Sequence, residues 1–425
     1  MNRGNKWALL PFIVFILLFI GTGIITQDFS TMPLNVAVLL ACIVAFFMNR
    51  REKLSKKLQV FTAGAGHPNV LLMVAIFILA GVFASVAKDM GAVTSTVNLG
   101  LSYLPSNYLL VGLFIIGCFI SLSMGTSMGT VVALAPIGVG IADATTISLP
   151  LAMATVVGGA MFGDNLSVIS DTTIAAVKTQ GVNMKDKFRV NIKIVLPAAA
   201  VTALFLTYIT WGTSARQGEY TFHLLEVLPY LIVLIAALIG IDVFIVLVGG
   251  TVLSAAVGFY NGSFTVTSLL QSIGAGIISM EDIAIIALLI SGLVAIVQYN
   301  GGIDYLLAII SKRIQSRRGA ELGIATLVSA ADISTANNTI SILLTGPIAK
   351  DIAEKYDVDA RKSASLLDIF ASVWQGLLPY SPQLLAAASV AGISTLSLLS
   401  YSFYPVIMAV FAFVAIIFRF PNLKK

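Results

Sequence analysis

The chain of 425 residues reads as an all-α polytopic membrane protein, an inverted-topology repeat in which each copy holds five transmembrane spans, one re-entrant hairpin and a broken helix at the midplane. Three observations predict this. The composition is 58% hydrophobic and only 11% charged, against roughly 25% charged in ordinary soluble domains. Landmarks recur at a nearly constant offset: Pro136 with Pro347, Ser170 with Ser381 and Gly81 with Gly292, while Gly64-Ala65-Gly66 returns as Gly274-Ala275-Gly276 and Leu10-Pro11-Phe12 as Leu228-Pro229-Tyr230. Finally, two apolar stretches in matching places are each interrupted by a polar, helix-breaking run, one from Gly163 to Thr173 and one from Gln375 to Gln383. Polar groups at membrane depth persist only where protein encloses them or they line a cavity. The pair therefore predicts the ion or substrate site of a secondary transporter.

The first copy covers 1–211. Its scaffold spans are read at 8–26, 33–48 and 69–87, since runs of about twenty apolar residues cross a ~30 Å hydrocarbon core. Arg3 and Lys6 precede the first run as they would in a secretory signal, but no small-residue cleavage site follows and the run is copied later, so the segment is expected to be retained. A hairpin over 108–142 turns at 123–130; its arms, about fifteen residues or fewer, are short for two crossings and predict re-entry. A broken span at 149–178 and a last span at 188–210 complete the unit. The second copy, 212–425, repeats the order with scaffold spans over 220–298, a hairpin at 320–355, a broken span at 363–395 and a last span at 401–419. Five full spans is an odd number, so the second copy enters the bilayer upside down.

Charge placement tests that orientation, because Lys and Arg favour the cytoplasmic side. Arg50, Arg51, Lys53, Lys56 and Lys57 follow the second span, whereas the corresponding 261–278 has no Lys or Arg. The next connection reverses the pattern: 88–107 has Lys88 alone, and Lys312, Arg313, Arg317 and Arg318 crowd its counterpart. Lys178, Lys185, Lys187 and Arg189, then Lys350, Lys355, Arg361 and Lys362, then Lys424 and Lys425 all fall on the same face if both termini are cytoplasmic. The net charge of +5 is thus explained by topology and lipid headgroups in the cell membrane, with no nucleic-acid partner. Cys42 and Cys118 sit inside apolar runs away from metal-ligand spacings and read as small core residues. His67 and His223 read as interfacial.

The run 163–173 offers two carboxylates (Asp164, Asp171), the amide of Asn165 and the hydroxyls of Ser167, Ser170, Thr172 and Thr173. A hard monovalent cation such as Na⁺ takes such oxygen ligands. Gly163 permits unwinding, which exposes carbonyls and aims the dipoles of two half-helices at the gap. The bland alternative is a loop at a membrane face with an Asx turn and an N-cap; the apolar flanks at 152–162 and 174–177 argue against it. Both hairpin tips, 121–130 and 332–341, combine small residues with side-chain oxygens, placing Thr126, Ser127, Asn337, Asn338 and Thr339 against the same site, although such runs also serve close helix packing. Ser381 is the copy of Ser170. Asp368, in the second broken span, is functional by default. Asp242 and Glu226 read as interfacial, and Lys193 as snorkelling. No Arg or Lys lies within the broken runs or tips.

From Phe162 through Gly163-Asp164-Asn165-Leu166-Ser167 to Ser170-Asp171-Thr172-Thr173 the sequence resembles the hallmark run of the NhaC family of sodium/proton antiporters, Gly-Asp-x-Leu-Ser-x-x-Ser-Asp-Thr-Thr. The hydropathy plan is similar over the full length. The resemblance implies a place in the broad ion transporter superfamily, with inverted repeats, paired re-entrant hairpins and a scaffold that dimerises, so a homodimer is expected. Ser-Asn-Thr tips hold sodium and substrate in that superfamily; Asn338-Thr339 is similar, Asn337 stands where that pattern has Ser, and the first tip has no Asn.

The expected activity is Na⁺/H⁺ exchange, in which Asp164, Asp171 or both hold either a cation or a proton. Burial disfavours an ionised carboxyl while a bound cation favours it, so the two ligands displace one another. Asn165, Ser167, Ser170 and Thr172 would add neutral oxygens, with the tips closing the site. Na⁺ and H⁺ are the transported ions, and neither a resident cofactor nor an enzymatic activity is expected. The alternative is sodium-coupled transport or exchange of a small organic acid or amino acid, as in relatives of the family. An intramembrane aspartyl protease is disfavoured, because seven residues of helix put the two acids roughly 10.5 Å apart and such an enzyme needs them at about 3 Å. A channel fits the paired hairpins less well than alternating access does.

Overall fold

A computed structural model describes residues 4–22, 25, 32–103, 105–167, 170–214, 221–239, 241–312 and 314–421. Those residues form helices and no β-strand. Seven helical stretches among them are long and apolar enough to cross a membrane, from Val70–Asp89 to Val266–Tyr299, and shorter apolar helices such as Leu34–Phe47 and Phe403–Ile417 accompany them. Helix is what such sequences must form in lipid, since it satisfies every backbone group internally. Part of the expected first span (23, 24 and 26), Arg313, Lys424 and Lys425 lie outside the described residues.

In order, the first half contains α1 (Leu10–Ile16), α2 (Leu34–Phe47), α3 (Leu54–Ala65), α4 (Pro68–Asp89), α5 (Ala92–Tyr103), α6 (Leu109–Met124), α7 (Ser127–Ala144), α8 (Leu149–Leu166), α9 (Asp171–Gln180) and α10 (Met184–Ile209). The second half contains α11 (Leu224–Leu238), α12 (Val243–Tyr260), α13 (Val266–Ile278), α14 (Glu281–Tyr299), α15 (Gly302–Lys312), α16 (Arg317–Thr335), α17 (Asn338–Lys355), α18 (Ala360–Gln375), α19 (Pro382–Ala391), α20 (Thr395–Leu399) and α21 (Phe403–Ile417). Helix starts match between halves: α7 with α17, α8 with α18 and α9 with α19 are each offset by 211 residues (338 − 127, 360 − 149, 382 − 171).

Three expectations are corrected here. The stretches read as connections are themselves helical, as α3, α5, α13 and α15. A capping box starts α13, in which Thr265 and Ser268 satisfy each other's backbone N–H. Lys57, read as part of a surface cluster, is buried and its Nζ donates to the carbonyls of Phe46 (2.8 Å) and Met48 (2.5 Å), closing the C-terminus of α2. The hairpin arms are also longer than expected, with 16, 18, 19 and 18 residues in α6, α7, α16 and α17. Most of each polar tip is helical, because the reversal is compressed into two residues. Gly125 takes the left-handed conformation at φ 67° and Thr126 caps α7. In the second hairpin Ala336 accepts the same conformation at φ 50°, and Asn337 caps α17.

The halves are interleaved. α9 packs on α17 and, conversely, α19 on α7; α3 packs on α14 and α4 on α13. The landmark glycines make these crossings close. A Cβ on Gly81 would sit 2.2 Å from the carbonyl oxygen of Gly276, and one on Gly64 would sit 2.7 Å from that of Ser291 and 3.4 Å from Gly292 Cα. Helices α7, α8 and α18 are buried almost throughout, so the interrupted helices occupy the centre of the molecule.

Candidate functional site

The two breaks and the two hairpin tips converge. A cavity of about 150 Å³ is lined by Thr126 and Ser127 from the first tip, by Asn337, Asn338 and Thr339 from the second, by Asp164, Ser170, Asp171 and Thr172 around the first break, and by Gln375 and Gln383 around the second. Leu72, Met73 and Ile76 of α4 close one side. The N-termini of α7, α9, α17 and α19 all open onto this space. Each N-terminus carries the positive end of a helix dipole, with Thr126, Asn337 and Ser381 capping one N–H of α7, α17 and α19, so the cavity is favourable to carboxylates.

Asp164 is buried in the last turn of α8. Ser127 Oγ donates to its Oδ2 at 2.8 Å and Ser170 Oγ to its Oδ1 at 2.5 Å, while Ser170 and Thr172 share a hydroxyl contact at 2.9 Å. Ser127 spends its single hydrogen on Asp164, so it must accept from Gln383 Nε2, 3.1 Å away. That fixes the Gln383 amide and leaves its Oε1 buried and unpartnered. Neither Asp164 oxygen meets a Lys, Arg or His among the described residues. Asp171 differs from the expectation that both acids are sunk in the interior: it is exposed, at the first residue of α9. The free N–H groups of a first helical turn hold a solvated carboxylate there without burial.

Beside the cavity a charged bracket holds the first break together. Lys187 is only 1% exposed, and its Nζ donates to Asp368, to the carbonyl of Asn165 (2.7 Å) and to Thr173 Oγ1 (2.8 Å). The sequence pattern places it in the cytoplasmic basic cluster; its position in α10 instead turns it inward against α18. Asn191, one turn on, donates to both the backbone and side-chain oxygens of Asn165 and accepts from Ser365. Asn165 Nδ2 donates to Ser372 at 3.2 Å.

On the other side Asp332, fully buried near the end of α16, accepts from Gln375 Nε2 at 3.0 Å on each oxygen and contacts Ser341 Oγ at 3.0 Å. Gln375 stands 211 residues after Asp164 and Gln383 the same distance after Thr172 (375 − 164, 383 − 172).

Nine of the residues selected from sequence thus line one space: Thr126, Ser127, Asp164, Ser170, Asp171, Thr172, Asn337, Asn338 and Thr339. Three do not. Asn165 is spent on the bracket, Ser167 is buried at the C-cap of α8, and Ser381 is turned to Gln375 O and Leu384 N within its own loop. Lys187, Asn191, Asp332, Gln375 and Gln383 were not selected, although the constant offset already paired both glutamines with polar residues of the first run.

Gly163 serves a purpose other than unwinding. It lies inside α8, and a Cβ there would sit 2.4 Å from Leu122 N and 2.6 Å from Cys118 O on α6. Gly163→Ala is expected to cost about 1–3 kcal/mol of overpacking and to displace Asp164. The measurement is thermal unfolding in detergent, in which an unchanged midpoint would remove the close-approach argument.

Comparison with known proteins gives a match to the family described as Na+/H+ antiporter family over residues 4–212 and again over 220–423. The chain is 23% identical over 427 residues to the Malate-2H(+)/Na(+)-lactate antiporter of Bacillus subtilis, covering 93% of this chain and 91% of that protein. It is 27% identical over 368 residues to the Na(+)/H(+) antiporter NhaC of Alkalihalophilus pseudofirmus, covering 77% and 78%. To the Arginine/ornithine antiporter ArcD of Halobacterium salinarum it is 25% identical over 393 residues, covering 82% and 80%. Among solved structures, the YdaH transporter of Alcanivorax borkumensis is similar at a TM-score of 0.43 and 14% identity, covering 99% of this chain and all of that one.

Proposed function

Because the chain belongs to the Na+/H+ antiporter family, we propose that it exchanges Na⁺ for H⁺ across the cell membrane by alternating access, with Asp164 as the group that holds one ion or the other. The single observation that carries this reading is a buried carboxylate on a polar cavity, held by two hydroxyls and no cation. In an apolar interior such a group takes up a proton or a metal cation. Only one fits at a time, and exchange follows from that competition. Asp171 adds a carboxylate at the cavity mouth, Ser170 and Thr172 add oxygens deeper in, and Thr126, Ser127 and 337–339 close it from the tips.

The same reading takes residues 1–211 and 212–425 as inverted repeats with re-entrant hairpins and both termini cytoplasmic. Support comes from the equal helix offsets, the crosswise packing and the two separate family matches. By length alone each hairpin arm could cross a bilayer; convergence of both tips with both breaks on one cavity is what favours tips at mid-depth. Relative movement of the scaffold against the hairpins and broken spans is favoured by a second cavity of about 510 Å³ between them, with Gly81 and Ser85 on the scaffold side and Pro136, Gly140 and Ser389 opposite. A homodimer through the scaffold belongs to the same reading.

A second reading is sodium-coupled movement of a small carboxylate. Four helix N-termini around one cavity favour it, as an anion there would meet several free N–H groups. Lys187 would not contribute, because its three donors are already engaged by Asn165, Thr173 and Asp368. Purified protein in vesicles separates the two. Adding Na⁺ alone is expected to drive proton movement, whereas a requirement for an added organic acid or amino acid would favour the second reading.

A further inference from the structure

Asp332 is the other buried carboxylate without a cationic partner. Among the described residues, the buried acids Asp368 and Glu321 have Lys187 and Lys362 beside them, but Asp332 contacts only neutral groups. Elements packed around α16 offer it no charge. Asp304, Glu281, Asp282, Lys350, Asp351, Glu354 and Lys355 are exposed, and the Tyr380 hydroxyl donates to the carbonyl of Ile333.

The local hydrogen bonding suits two protonation states. Ser341 Oγ lies 3.0 Å from Asp332 Oδ1, 2.6 Å from the carbonyl of Asn337 and 2.8 Å from Thr335 Oγ1, so its one hydrogen has a choice of acceptors. With Asp332 ionised, Ser341 donates to it. With Asp332 protonated, the carboxyl donates to Ser341 and the serine turns its hydrogen to Asn337. Neither state strands the Ser341 hydrogen, and Gln375 Nε2, 3.0 Å from both oxygens, keeps Oδ2 as its acceptor when Oδ1 carries the proton.

Gln375 joins this group to the cavity. Its Nε2 lies 3.0 Å from both Asp332 oxygens and shares an N–H between them, so its Oε1 points away; that atom is buried and unpartnered, and the residue lines the cavity that Asp164 lines. Positive charge arriving in the cavity polarises the amide and strengthens its donation to Asp332, which favours loss of the proton.

We propose that Asp332 is a second proton-carrying group: a cation entering beside Asp164 polarises Gln375, Asp332 gives its proton to water on the side to which the cavity is then open, and one Na⁺ is thereby exchanged for two H⁺, so that each cycle moves net charge. The inference rests on the Na⁺/H⁺ reading. In vesicles, an imposed membrane potential is expected to drive Na⁺ flux in the wild type, with an equilibrium ratio of two protons per Na⁺; Asp332→Asn is expected to retain exchange at one to one and to ignore the potential. A wild-type ratio of one, or an unchanged ratio in the variant, overturns the proposal. No Na⁺-dependent proton movement at all would instead overturn the antiport reading. If the variant does not fold, the wild type decides: a hydrophobic carbodiimide, which modifies protonated carboxyls, should label Asp332 without Na⁺ and fail to label it with Na⁺. Labelling indifferent to Na⁺, or none at Asp332, overturns the proposal.

Discussion

Asp164→Asn is expected to bring Na⁺-driven proton flux down to the level of empty vesicles while leaving the protein folded. The substitution keeps the shape of the side chain and removes its charge and its exchangeable proton. An Asn oxygen still accepts from Ser127 or Ser170, so packing in the last turn of α8 survives. Removing an unpaired buried charge also tends to leave stability unchanged or raise it. Lost transport with an undiminished unfolding temperature is therefore the expected pair of results. Surviving exchange would remove Asp164 from the carrier role. Asp171→Asn is the contrasting case: an exposed carboxylate at the cavity mouth attracts cations without trapping them, so the variant should need more Na⁺ and still turn over.

Breaking the Lys187–Asp368 pair is expected to have the largest effect on stability. Removing one partner leaves the other charge buried and alone, at a cost of about 3–5 kcal/mol, whereas replacing both with apolar residues of similar size restores much of the loss. Lys187→Met and Asp368→Asn should each lower the unfolding temperature sharply, and Lys187→Met combined with Asp368→Leu should recover most of it. The recovery would be incomplete, because Lys187 also ties Asn165 to Thr173 across the first break. Equal destabilisation by the single and paired changes would mean that the ammonium matters through those two contacts and not through the ion pair.

The helical class and the grouping of tips with breaks were legible in the sequence, because hydropathy and a constant offset survive without knowledge of side-chain direction. Direction is what failed. Asp164 and Asn165 are adjacent, yet their side chains serve the cavity and the bracket respectively, since neighbouring helical residues point about 100° apart. Lys187 lies in a run of basic residues in which Arg189 is exposed, and only its neighbour α18 distinguishes it. Gly163 looked like a break because breaks favour glycine, but its missing side chain is used for contact with α6. The short helices α3 and α13 were hidden for another reason: α3 carries Lys56 and Lys57 near its start and α13 follows the polar run Asn261-Gly262-Ser263, so each resembled a connection.

The interleaving of the halves bears on biosynthesis. When the ribosome has completed α10, the surfaces of α3, α4, α7 and α9 that will meet α14, α13, α19 and α17 have nothing to pack against. The nascent protein must therefore wait in the bilayer with polar tips unsheltered until the second half is inserted. Separately expressed halves should accumulate only when made together, each acting as the other's folding template.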